Sequence, residues 1–128
     1  MSENELSHLI IGRAIEVHRE LGPGLLESIY QHCLAFELIE AGLNIRVQHP
    51  LPVNYKGQPM DLGFRLDIWV DHKVVVEVKA VDALHDVHLA QVLTYLKLVN
   101  KKLGLLINFN VPRLRDGVKR IVLGLPEA

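Results

Sequence analysis

From Glu5 to Leu21 the apolar residues Leu6, Leu9, Ile10, Ile15 and Val17 return at an approximately helical spacing. Gly22-Pro23-Gly24 stops that run. A second helix is predicted from about Leu25 to Ala41, with Leu26, Ile29, Tyr30, Cys33, Leu34 and Leu38 as its apolar stripe and Gly42 placed to end it. Then the period shortens. Asn44–His49 and Leu51–Tyr55 read as short strands divided at Pro50 and followed by a Lys56-Gly57-Gln58 turn. Leu62–Val70 and Val74–Val81 are stronger strand candidates, rich in β-branched residues and joined across Asp71-His72-Lys73. The helical period returns from about Leu84 to Val99, with Leu89, Val92, Leu93, Leu96 and Val99 on one face. Leu103–Phe109 is a continuous apolar run that fits a buried strand. Val118–Leu123, after an Arg115-Asp116-Gly117 turn, reads as a last strand or a short helix. This order predicts an α/β fold in which helices pack on a mixed β-sheet.

Composition narrows the class. The 128 residues, 49% hydrophobic but only 5% aromatic, suit one domain over 1–128 with an aliphatic core. Uncharged stretches reach ten residues, as in Leu103–Pro112, well short of the ~18–20 that cross a bilayer. The acidic start Met1-Ser-Glu-Asn-Glu lacks the plan of a signal peptide, and the lone Cys33 cannot form an internal disulfide. A reducing, cytoplasmic location is the expectation. A net charge of −1 argues at first against a nucleic-acid partner. The average conceals an asymmetry, however: residues 1–40 hold seven Glu against Arg13 and Arg19, while residues 97–120 hold seven Lys and Arg against Asp116.

The segment Arg65–Val81 carries the densest chemistry. Side chains two apart on a strand share a face, so Glu77 and Lys79 project together. Where Asp67 points depends on the turn. A three-residue loop at Asp71–Lys73 pairs Val70 with Val74 and sets Asp67 opposite Glu77. A two-residue loop pairs Asp67 with Val76 and sends Glu77 to the other face. The pattern of buried valines favours the first arrangement, or a bulge with the same effect. Two carboxylates so placed have cross-strand Cβ atoms ~4.5–5.5 Å apart and suit Mg²⁺ or Mn²⁺, which keep waters for a phosphate to displace. A neighbouring lysine can orient or deprotonate an attacking water, or stabilise charge on phosphorus. The plain alternative is a surface pair, since Glu-x-Lys on an exposed strand face is common.

Two helical patterns add candidates. Glu27 falls in the first turn of the second helix, where capping and the helix dipole already favour a carboxylate. It could equally point at the carboxylate cluster. His88, Gln91 and Tyr95 line one side of the third helix at i, i+3, i+7. His85 and His88, with Asp82 and Asp86 near, raise a zinc site, against which stands the absence of a Cys cluster or a second His pair. A small-molecule enzyme has no support, because neither a phosphate-cradling glycine loop nor a nucleophile elbow occurs.

In order along the chain, Gly24-x-x-Glu27-x-x-Tyr30, Asp67, Glu77-Val-Lys79 and Gln91-x-x-x-Tyr95 resemble the GxxExxY protein family, placed in the PD-(D/E)xK nuclease-like superfamily. The likeness runs from about Ile10 to Leu123 and includes Leu103–Pro112. It implies a restriction-endonuclease-like core, a central mixed β-sheet flanked by helices. It also implies that Asp67 and Glu77 are metal ligands, that Lys79 is the catalytic lysine and that Glu27 is an additional acidic residue of the site. Gln91 and Tyr95 match the helix that lines such a site. Leu66 stands before Asp67 where the superfamily name has proline, a position with no role in metal binding.

The expectation is thus a Mg²⁺- or Mn²⁺-dependent nuclease acting on DNA in preference to RNA. Glu27, Asp67, Glu77 and Lys79 form its catalytic set, and Gln91, Tyr95 and His88 position substrate or water. Lys97, Lys101, Lys102, Arg113 and Arg115 are expected to contact phosphates. Without a visible target-recognition element, specificity falls to a homodimer or a protein partner. The alternative is a non-catalytic nucleic-acid- or protein-binding module that keeps the fold.

Overall fold

The structure, a computed structural model, describes residues 1–61 and 63–125. Helices α1 (Glu3–Leu21) and α2 (Glu27–Glu40) open the chain. The α1 start is fixed by a capping box: the Ser2 hydroxyl accepts the Glu5 amide and Glu5 Oε1 accepts the Ser2 amide. Between the helices, Gly22 and Gly24 take left-handed φ values of 69° and 96°, conformations that cost other residues dearly. Tyr30 locks this turn. Its hydroxyl donates to the Gly22 carbonyl at 2.5 Å and accepts the Leu25 amide at 3.1 Å, and its ring stacks on Phe109 at 4.6 Å. Because the turn consumes Leu25 and Leu26, α2 starts two residues later than its apolar stripe suggests, and Leu26 and Ile29 are exposed.

Five strands form one sheet in the order β1-β4-β5-β6-β7. They are β1 (Ile45–Pro50), β4 (Arg65–Val70), β5 (Val74–Lys79), β6 (Leu103–Asn108) and β7 (Val118–Val122). β5 and β6 run parallel and the other neighbours antiparallel, so the sheet is mixed, as expected. The parallel pair is joined by α3 (Asp86–Val99), the long crossover that parallel strands require. Strands β2 (Val53–Tyr55) and β3 (Gln58–Met60) make a separate ribbon. Lys56 and Gly57, both at positive φ, form its turn, so Gln58 opens a strand rather than closing the turn. Pro50 ends β1 instead of dividing two strands. Of the strand expected over Leu62–Val70, residues Arg65–Val70 are strand, and Leu62 lies outside the described residues. A 3₁₀ turn, Leu114–Gly117, precedes β7, which settles the last segment as strand.

The sheet separates two apolar clusters. On one face Ile68, Val70, Val74, Val76 and Val78 pack against α1, α2 and Phe109. On the other, Val75 and Leu106 pack against Val92, Tyr95 and Leu96 of α3. Glu77 shares the odd-numbered face of β5 with Val75 and therefore looks toward α3, with Lys79 beyond it. Alternation fails in β4. Leu66 joins the α3-side cluster whereas Ile68 joins the opposite one, so the strand turns over at Asp67.

Candidate active site

The Asp71–Lys73 turn sets the register. Asp71 and His72 both have positive φ, Lys73 donates to the Val70 carbonyl at 2.9 Å, and Val70 pairs with Val74. This is the three-residue arrangement, with pairs Trp69–Val75 and Ile68–Val76 following. One step further the backbone ladder stops and side chains take over. The Asp67 amide donates to Glu77 Oε1 at 3.1 Å, and the Val78 amide donates to Asp67 Oδ2 at 2.9 Å. Each carboxylate satisfies an amide of the opposing strand, a charge-assisted bond worth about 1.5–3 kcal/mol.

The other Asp67 oxygen, Oδ1, accepts from Gln48 Nε2 at 3.2 Å, which also donates to Gln31 Oε1 at 2.8 Å. Gln48 sits at φ 52°, a left-handed conformation that a non-glycine residue holds only when its surroundings impose it. Gln31, 9% exposed, comes from α2 one turn after Glu27. Neither glutamine was singled out from the sequence. The signal available was the i, i+4 spacing from Glu27 to Gln31, which puts both on one helix face.

Glu77 is 3% exposed. Burial, and then the Asp67 charge beside it, push its carboxyl up to about 8, against the smaller opposing effects of the Asp67 amide and Lys79. Tyr95, 4% exposed, belongs to the same field: burial and the two carboxylates push its phenol up to about 12, so it stays protonated over the site. Gln91, one turn earlier on α3, is half-buried and acts on the Tyr95 hydroxyl in the opposite sense.

The remaining candidates sort by position. Lys79 closes β5, half-buried, and its carbonyl accepts the Phe109 amide at 2.9 Å. Glu27 is exposed in the first turn of α2. Among the described residues no group of three or more His, Cys, Asp or Glu side chains is placed to hold a metal. Glu27, one turn before Gln31 on α2, forms no such group with Asp67 and Glu77 among the described residues. His85 and His88, with Asp82 and Asp86 near, make no such group either among the described residues. His88 instead uses Nδ1 to accept the His85 amide at 3.0 Å, capping α3.

The basic residues do not form one patch. Parallel pairing of Val74 with Leu103 and of Lys79 with Asn108 places Lys101 and Lys102 at the far end of the sheet from Lys79. Lys97, in the last turn of α3, returns to that same far end. Six residues of strand, roughly 17–20 Å, intervene. Arg113 and Arg115 follow β6 and lie at the Lys79 end.

Asn108 is a structural residue that the sequence did not flag. It is 2% exposed, its Oδ1 accepts the Val81 amide at 3.1 Å and its Nδ2 donates to the Val81 carbonyl at 2.9 Å. Asn110 Oδ1 accepts the Gly24 amide at 3.1 Å. The β6 exit thus ties the end of β5 to the turn that launches α2.

Two facing carboxylates, one nearly buried and holding its proton, are an unfavourable pair that a divalent cation relieves. Carboxylate oxygens are the donors that hard divalent cations take. A five-stranded mixed sheet flanked by helices is a restriction-endonuclease-like fold. The chain belongs to the PD-(D/E)XK nuclease superfamily, whose model matches residues 4–121. No curated protein and no solved structure matches it. Nucleases of this superfamily generally use divalent metal ions and act on nucleic acid. No helix among the described residues is long and apolar enough to cross a membrane.

Proposed function

We propose that this chain is a Mg²⁺- or Mn²⁺-dependent nuclease of the GxxExxY family that hydrolyses phosphodiester bonds, in DNA in preference to RNA. The observation that carries the reading is the reciprocal bonding of Asp67 and Glu77, with Lys79 two residues along the same strand as Glu77. Asp67 and Glu77 hold the cation. When bound, it supplies Lewis acidity and lowers the pKa of a coordinated water. The Lys79 ammonium orients the attacking water and faces the negative charge that grows on phosphorus. Gln48 fixes the Asp67 carboxylate, and Gln31 fixes Gln48. Glu27 acts on the water network rather than on the metal directly. Gln91 and the outer edge of His88 position substrate, while Tyr95 holds a protonated hydroxyl toward the carboxylates. Arg113 and Arg115 supply phosphate contacts at the Lys79 end. Sequence selectivity is assigned to a second copy of the chain or to a partner protein. A reducing, cytoplasmic setting fits the free thiol of Cys33.

A second reading, a binding module that has lost cleavage, is favoured by one observation: only two acidic side chains converge among the described residues. Incubation with labelled single- and double-stranded DNA and RNA, with and without Mn²⁺, separates the two. The nuclease reading expects metal-dependent products that Glu77→Ala and Lys79→Ala each abolish while the fold survives. Unchanged cleavage in both variants removes it. Binding without products under every metal condition selects the module.

A further inference from the structure

The turn after β6 carries a cationic pocket at the same end of the sheet as Lys79. Leu114 is buried in the 3₁₀ turn, which leaves its neighbours Arg113 and Arg115 exposed on either side of it. The turn cannot drift: a Cβ on Gly117 would lie 2.1 Å from the Asn108 carbonyl oxygen, so its backbone is packed directly on the end of β6. From α1, His18 Nε2 bonds the Val111 carbonyl at 2.7 Å. A carbonyl only accepts, so this nitrogen carries the proton. Between these elements opens a cavity of about 310 Å³, with Ile15 and Leu114 as its apolar floor and His18, Arg19, Arg113 and Arg115 around its rim.

The charge balance of that rim is one-sided. Arg19 pairs with Glu16 of its own helix at 3.2 Å, whereas Arg113 and Arg115 have no ion-pair partner among the described residues. Two unpaired guanidinium groups beside a third that Glu16 partly neutralises leave the pocket net positive, which a tetrahedral oxyanion offsets. Guanidinium forks match phosphate oxygens bidentately, which an ammonium does not.

We propose that this pocket binds a phosphodiester group of the nucleic-acid strand, displaced along the backbone from the bond beside Asp67 and Glu77. The proposal rests on the nucleic-acid reading and deepens it, adding Arg19 as a binding residue and His18 as the brace that holds the turn through Val111. It also sets a path: the pocket lies on the α1 face, where Leu114 packs, and Glu77 and Lys79 on the α3 face, so the strand passes around the end of the sheet that both share while Lys97, Lys101 and Lys102 take no part.

Fluorescence anisotropy of a labelled DNA duplex in EDTA, where nothing is cut, tests it. Arg113→Ala/Arg115→Ala is expected to weaken binding about tenfold or more at low salt and to reduce the slope of log K against log salt by nearly 2. Arg19→Ala, on a different element, weakens binding in the same direction, which guards against a local folding defect in the double variant. Lys101→Ala/Lys102→Ala leaves affinity and slope unchanged. The pocket is overturned if the arginine variants bind as wild type, if the lysine variant loses as much, or if the wild-type chain binds no duplex. A wild-type chain that binds with this signature but never cuts with Mn²⁺ retires the nuclease reading and leaves the pocket standing.

Discussion

The Asp67 amide donates to Glu77 Oε1, and the amide next to Glu77, that of Val78, donates to Asp67 Oδ2, so each carboxylate closes the hydrogen-bond ladder of the opposing strand. The strands part where the two acids meet, which opens the sheet toward α3 without leaving either amide unpaired. The acids are thus structural parts of the β4–β5 pair as well as the centre of the proposed chemistry. Function and stability compete at this point.

That competition predicts the behaviour of Glu77→Gln. The amide keeps the acceptor for Asp67 but removes a buried acid that repels its neighbour. Metal-free Glu77→Gln at pH 8 is expected to be more stable than wild type by about 1 kcal/mol, raising Tm by a few degrees, while losing cleavage. Differential scanning fluorimetry beside an activity assay reads both. A lower Tm with retained cleavage contradicts this.

The pH dependence follows from the same carboxyl. Glu77 holds its proton up to about 8 in the folded chain and only to about 4.5 when unfolded. Between those values the folded state binds more protons, so the unfolding free energy contributed by Glu77 falls as pH rises and levels off above about 8. In urea titrations of the metal-free protein, this component of the midpoint declines from pH 5 to pH 8. Subtracting the Glu77→Gln profile isolates it; a flat or rising difference rejects the assignment.

Divalent ions should reverse the penalty. A cation that binds only the folded chain raises Tm, and it must displace the Glu77 proton to do so. The Tm increment from Mn²⁺ is therefore expected to be larger at pH 8 than at pH 6, and absent in Asp67→Ala. Equal increments at both pH values would mean that the ion binds elsewhere.

Tyr30→Phe keeps the stack on Phe109 and removes both hydroxyl bonds to the Gly22–Leu25 turn. A loss of about 1–2 kcal/mol is expected from chemical denaturation, since the Gly22 carbonyl and Leu25 amide lose their partner. Gly117→Ala should cost more, about 2–3 kcal/mol, because the new methyl meets the Asn108 backbone rather than a yielding side chain. If both variants unfold at the wild-type midpoint, the turn and the β6 exit are not held as described.

Periodicity located most elements because burial imposes it. The β-branched run Val74–Val78 and the continuous apolar run Leu103–Phe109 read as buried strands, and β5 and β6 (Leu103–Asn108) are buried on both faces. Periodicity failed where polar contacts, rather than burial, set the geometry. Leu26 and Ile29 read as core but stay exposed, because Tyr30 spends the preceding residues on a turn. Gln31, Gln48 and Asn108 were invisible, since a glutamine or asparagine in a sequence does not reveal whether its amide meets water or a buried partner. The seven basic residues between 97 and 120 looked like one cluster because they are close in the chain. Strand β6 runs between Lys102 and Arg113 and carries them to opposite ends of the sheet.

Local chemistry by itself determined the mixed α/β class and the pairing of Glu77 with Lys79 on one strand face, and it favoured, without deciding, the register that brings Asp67 opposite Glu77. Each follows from a two-residue side-chain period and one turn, interactions that span only a few residues. Tertiary structure alone decided how deeply Glu77 is buried, that Gln31 and Gln48 reach Asp67 and that Arg113 and Arg115 line one cavity with Arg19. Those outcomes depend on how α1, α2 and α3 seat on the sheet, which is set by the packing of surfaces distant in the chain.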